Sequence, residues 1–159
     1  WIWHGGGICS HGMVALNISE RHKTAKNIKA RQAFTLSIAD VEHLKEADFF
    51  DIASGNNMDD MFERSGLTAI YSQKVAAPVI EEFPLTLECE VVECQNTVYG
   101  FRVLVKIVNV LADEKVLDEN GKVDPTKLNA FVFDQFQSRY YAIGEKVGQA
   151  WESGQELMK

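Results

Sequence analysis

A chain of 159 residues, 46% hydrophobic and 25% charged, has the length and the apolar content to build one globular domain around its own core. Its formal net charge of -7 argues against a nucleic-acid surface, since a polyanion would be repelled over most of it. No apolar run approaches the roughly 18 residues that span a bilayer, and no charged start followed by an apolar stretch marks a secretory leader.

Cys9, Cys89 and Cys94 make an odd count without paired zinc spacing. The expectation is reduced thiols in a cytoplasmic protein. Cys9 with His4 and His11 would offer a metal only an incomplete shell in a glycine-rich loop, so no metal site is expected.

In chain order, residues 1–3 (Trp-Ile-Trp) read as the middle of a strand, which implies that residues precede them. Glycines at 5, 6, 7 and 12 permit close approach of backbone to a ligand or another chain, or form a plain flexible turn. A strand over 13–18 leads into Ser19, Glu20, Arg21, His22, Lys23 and Thr24, with Thr24 the expected cap of a helix over 24–31. From Arg21 to Arg31 there is no acid, while Arg21, Lys23, Lys26, Lys29 and Arg31 are basic. A helix start has N–H groups without carbonyl partners and the positive end of the macrodipole, so this turn suits an anion such as phosphate. Ser19 and Thr24 add hydroxyls. Lys26 and Lys29, three apart, read equally as part of that site or as a solvated face.

Residues 34–38 alternate as a strand. Asp40 caps a helix with Val41, Leu44 and Ala47 inward, and residues 54–57 (Ser-Gly-Asn-Asn) form a loop. A short helix from Asp59, with Met61 and Phe62 inward, ends at Gly66. Beyond it the pattern is mainly β. Leu85, Leu87, Cys89 and Val91 alternate with polar residues, a turn is expected at 95–97, and 99–111 reads as a strand apolar on both faces. Such a strand suggests a closed barrel with a second layer or a partner subunit, hence a dimer. Residues 118–124 lack the flanking helices and final glutamate of a calcium loop, so Asn120-Gly121 is a tight turn. Asp124-Pro125 opens a helical turn, aromatic residues cluster at 131–141, and 145–159 reads as a weak amphipathic helix. There is no G-x-G-x-x-G, P-loop or nucleophile elbow.

In their order and spacing, these pieces resemble the flavin reductase-like family of FMN-binding split barrels, and its flavoredoxin branch in particular. The match runs across the supplied chain: Trp3 with the glycines after it, Ser-Glu-Arg-His-Lys-Thr-Ala-Lys-Asn-Ile at 19–28, Phe34, Ala-Asp-Phe at 47–49, Ile-Ala-Ser-Gly at 52–55, Gly66-Leu67, Ala77-Pro78, Glu-Phe-Pro-Leu-Thr-Leu-Glu-Cys at 82–89, the 116–124 segment, and Tyr140 with Gly144.

The resemblance implies a mainly β, α+β fold: a six-stranded antiparallel Greek-key split barrel with inserted short helices, over one domain of 1–159 whose first strand or strands lie before Trp1. It further implies a homodimer with FMN near the interface, the phosphate on the 19–24 turn (Ser19, Arg21, His22, Lys23, Thr24), and Trp3 and Phe133 near the ring. The implied activity is an oxidoreductase passing electrons from NAD(P)H through FMN to an acceptor. The alternatives are an FMN electron carrier reduced by a partner protein and a non-redox dimeric binding module. Since the flavin carries the chemistry, no catalytic residue is named.

Overall fold

A computed structural model of the chain describes residues 7–9, 12–98 and 100–158, with backbone alone at 7–9. Trp3, His4, His11 and Tyr99 fall outside the described residues, as does the side chain of Cys9.

The main sheet has five strands in the order β1 (Gly7–Cys9), β2 (Met13–Ile18), β7 (Gly100–Ala112), β6 (Leu85–Thr97) and β3 (Ala33–Ile38), every neighbouring pair antiparallel. Among the described residues there are also two separate hairpins, β4 (Ala69–Tyr71) with β5 (Pro78–Ile80) and β8 (Phe131–Asp134) with β9 (Arg139–Ala142). The helices are short: α1 (Lys23–Arg31), α2 (Leu44–Ile52), α3 (Met61–Ser65) and α4 (Pro125–Leu128). The fold is thus mainly β and antiparallel with a few short helices. Its described strands form a five-stranded sheet and two hairpins, where the sequence reading expected six strands in a Greek key.

Strand alternation places the core. Val14, Leu16 and Ile18 of β2 lie opposite Val105, Val103 and Phe101 of β7, and all six are buried. Leu87 and Cys89 of β6, Phe34 of β3, and Ala25 and Ile28 of α1 close the same cluster. Ala25 and Ile28 stand three apart, so α1 lays one face on the sheet and leaves the rest in water. Two register shifts mark bulges in the β6–β7 pair, one with Val108 as the extra residue of β7 and one with Val92 as the extra residue of β6; they bend the long strands and increase their twist.

Several expectations shift. β6 runs through the anticipated 95–97 turn, and the chain reverses between Thr97 and Gly100 instead. There Thr97 Oγ1 donates to Gly100 O at 2.9 Å, and a side chain at Gly100 (φ 127°) would meet Ile18 O at 2.8 Å. β7 is covered on one face: Phe101, Val103 and Val105 are buried, Arg102 and Lys106 exposed, and Val110 and Leu111 partly open to solvent. The cap of α1 is His22, in extended conformation, because the 19–22 turn closes before Thr24. Similarly α3 starts from Asp60, with Gly66 ending it as expected at φ 71°.

The tail forms no amphipathic helix. Residues 145–158 carry a single 3-10 turn, Gln155–Met158, and Val147, Trp151, Leu157 and Met158 are exposed. Gly148 and Gly154 weaken any helix there, and Ser153 Oγ bonds to both the N–H and the carbonyl of Gln149, competing with helical hydrogen bonding.

Candidate functional site: an anion turn between two cavities

The turn at 19–22 satisfies itself. His22 N–H donates to Ser19 O at 3.1 Å, and Arg21 N–H reaches Ser19 Oγ at 3.4 Å. The Arg21 carbonyl accepts from Asn56 Nδ2 at 2.8 Å. What is left to meet a ligand is the first turn of α1, whose N–H groups have no helical carbonyl to bond, with no acidic side chain in that turn and no side-chain cap.

The basic residues divide into two sets. Lys29 pairs with Glu20 at 2.9 Å, donates to Asn96 at 3.2 Å and stands 4.6 Å from the centre of the Phe101 ring. Lys26 donates to Asn56 Oδ1 at 2.8 Å, and Arg31 donates to the Ala76 carbonyl at 3.3 Å. These three cations fasten α1 to its neighbours. The side chains of Arg21, His22 and Lys23 make no hydrogen bond or ion pair to a described residue and stand exposed at the turn. They are the charges available to a ligand.

Two cavities flank this helix start. The smaller, about 250 Å³, lies between His22, Lys23, Thr24 and Asn27 on one wall and residues 50–55 with Met61 on the other. Asp51 is the acid in that wall. The larger, about 750 Å³, runs from Thr24, Asn27 and Arg31 past Phe34 to the β4–β5 hairpin. Thr24 and Asn27 face both.

A buried carboxylate holds the hairpin wall of the larger cavity. Glu88, 1% exposed, accepts hydrogen bonds from Ser72 Oγ and Asn109 Nδ2, which offset the cost of its burial. Ser72 Oγ in turn accepts from the N–H groups of Lys74 and Val75 at 3.0 and 2.9 Å. Cys89 beside it is pushed up to about 11 by burial and by the Glu88 charge, which makes it a core residue and not a nucleophile.

Of the residues selected from sequence, Ser19, Arg21, His22, Lys23 and Thr24 come together at the helix start. Trp3 lies outside the described residues. Phe133 sits on β8 with its ring 5.4 Å from that of Tyr140, and it lines neither cavity. Tyr140 donates to Asp48 Oδ1 at 2.6 Å, fixing the β8–β9 hairpin to α2; burial and the Asp48 carboxylate raise its hydroxyl above the ordinary range. Sequence reasoning missed Asn27 and Asn56. Asn27 is three residues past Thr24, so helical spacing alone puts the two on one face. Nothing local signals Asn56, whose partners lie 30 and 35 residues away.

The antiparallel, mainly β architecture with a few short helices is that of a split-barrel domain, here with a helix start opening beside a cavity. Comparison with known proteins narrows it. The model of the flavin reductase like domain matches residues 8–137, and the chain belongs to that family. The chain is similar to the flavoredoxin of Desulfovibrio vulgaris (Miyazaki F), at 30% identity and a TM-score of 0.87 over 94% of this chain and 80% of that one. It shares its fold with the flavoredoxin of Methanosarcina acetivorans (23% identity, TM-score 0.88, 96% and 81% of the two chains). The same holds for an FMN-binding protein of Thermus thermophilus (17% identity, TM-score 0.73, 90% and 76%). No curated protein matches the chain.

Proposed function

We propose that the chain is an FMN-binding oxidoreductase that passes electrons from NAD(P)H through bound FMN to an acceptor. The observation that carries the reading is the helix start at Lys23 and Thr24: first-turn N–H groups without a helical partner, cationic side chains that bond no described residue, and an adjoining cavity, in a member of the flavin reductase-like family. The residues fit the phosphate of FMN. Ser19 and Thr24 supply hydroxyl donors, Arg21 and Lys23 the charge, and His22 a ring nitrogen at the rim, so the phosphate end is anchored and the rest of the cofactor oriented by the cavity walls. Trp3 and Phe133 are assigned to the ring on the family resemblance. When bound, FMN supplies hydride acceptance and electron transfer, and the protein contributes binding, orientation and exclusion of water.

The similarity to two flavoredoxins favours a second reading, an FMN electron carrier reduced by a protein partner and without a nicotinamide site. A non-redox binding module is the third. A homodimer accompanies the proposal, supported by the open apolar residues Val110 and Leu111 on β7, and sedimentation equilibrium tests it. Cytoplasmic location is proposed on the unpaired thiols of Cys89 and Cys94.

The deciding experiment is an FMN titration followed by anaerobic addition of NADH and NADPH, watching oxidised flavin absorbance. Bleaching by either nucleotide is the expected result. Tight binding without bleaching moves the assignment to the electron carrier, and absence of FMN binding at micromolar concentration removes both redox readings.

A further inference from the structure

The 54–57 loop meets the anion turn through one side chain. Asn56 Nδ2 donates to the Arg21 carbonyl and Asn56 Oδ1 accepts from Lys26 Nζ, each at 2.8 Å, so a single amide reaches across to both the turn and the helix. The loop is itself tightly wound: the N–H groups of Asn57 and Met58 bond Ser54 O at 2.9 and 3.1 Å, and Asn56 N–H reaches Ser54 Oγ at 3.3 Å. It also runs against the stem of Lys23, since a methyl group at Gly55 would lie 3.5 Å from Lys23 Cβ.

Resting on the FMN reading above, we propose that Asn56 is a positioning residue that sets the anion site, acting through the Arg21 carbonyl and Lys26 without touching the cofactor. The Arg21 carbonyl carries partial negative charge one peptide away from the helix start. Held by Asn56, it points to the loop, while the N–H of the same peptide unit stays on Ser19 O. Without Asn56 only the bond to Ser19 O restrains that peptide, and any turn of its oxygen toward the phosphate would repel the anion. The second arm sorts the lysines. Lys26 is taken to the loop and lines no part of the smaller cavity, whereas Lys23 lines it and has no hydrogen-bond or ion-pair partner among the described residues. One amide therefore fixes both the sign of the nearest backbone group and which ammonium faces the ligand.

The test compares FMN with riboflavin, which has the same ring and no phosphate, by fluorescence quenching on wild-type, Asn56→Ala and Asn56→Asp full-length chains. Asn56→Ala is expected to weaken FMN about tenfold, from the lost hydrogen bonds, and riboflavin less than about twofold. Asn56→Asp keeps an acceptor for Lys26 but sets a carboxylate against the Arg21 carbonyl, and should weaken FMN further than Asn56→Ala does. Equal weakening of both flavins, no change in either, or loss of the folded circular dichroism spectrum in both variants overturns the proposal and makes Asn56 a structural tie only. Wild-type protein that takes up neither flavin overturns the FMN reading itself, a result distinct from all of these.

Discussion

At the scale of single residues, Gly100 shows how a backbone position dictates its side chain. With φ at 127° and Ile18 O at 2.8 Å from any added Cβ, alanine there must strain the β2–β7 pairing or distort the turn. Gly100→Ala should cost about 1–3 kcal/mol in urea unfolding, its added Cβ pressing on Ile18 O and coming within 3.9 Å of Ser19 Cα at the start of the anion turn. Tyr140 sets a limit at high pH. Its hydroxyl is raised by burial first and Asp48 second, so the fold favours the protonated phenol. That contribution is fully present below the ordinary tyrosine value of about 10 and is lost as pH rises toward the folded value. Tyr140→Phe should accordingly flatten the fall of melting temperature above about pH 10. Local chemistry made Gly66, Asn120-Gly121 and Asp124-Pro125 readable in the sequence, since each is a capping or turn preference needing no distant partner. The turn at Gly100 was not readable. Gln95 and Asn96 have turn-like composition, yet pairing with Arg102 and Phe101 and the contact of Asn96 with Lys29 keep them in the strand.

At the scale of elements, α1 joins the core to the site. Its Ala25 and Ile28 are buried under the sheet while its first turn faces the cavities, so packing determines where the first-turn N–H groups point. Ile28→Ala should destabilise the fold by about 2–5 kcal/mol by opening a cavity beneath the helix. Lys23→Met lies on the exposed side, and calorimetry should find stability within about 0.5 kcal/mol of wild type while FMN binding weakens. The periodicity that placed β2, α1, β3 and the start of β6 is a burial pattern, and burial is what the sheet delivered. The predicted tail helix failed for the same reason in reverse: its apolar residues have no described surface to pack on, and intrinsic propensity does not hold a short helix alone.

For the whole molecule, the sign of the charge is reversed locally. A chain of net charge -7 presents Arg21, His22 and Lys23 together at one helix start, with the remaining helix cations fastened to neighbours. The charge run was legible in sequence, but which cations are held by neighbours was not, because Glu20, Asn56 and Ala76 meet Lys29, Lys26 and Arg31 only through contacts outside the helix. Strand order was similarly hidden, since β2 and β7 are far apart in the chain and no local signal pairs them. Removing residues 145–159 should leave the melting temperature within about 2 °C, given that surface changes are typically worth under about 0.5 kcal/mol.

The β6–β7 ribbon also has a kinetic meaning. Thirteen residues on each side face each other across the short reversal between Thr97 and Gly100, so its contacts form at almost no loop-closure entropy. Pairing β2 to β7 or β3 to β6 must first close much longer loops, and each adds to a template that the ribbon already provides. The ribbon is therefore expected to be the folding nucleus, with β2 and β3 docking later. In stopped-flow measurements Val103→Ala should mainly slow refolding and Val14→Ala mainly speed unfolding, and the reverse pattern would move the nucleus to the sheet edges.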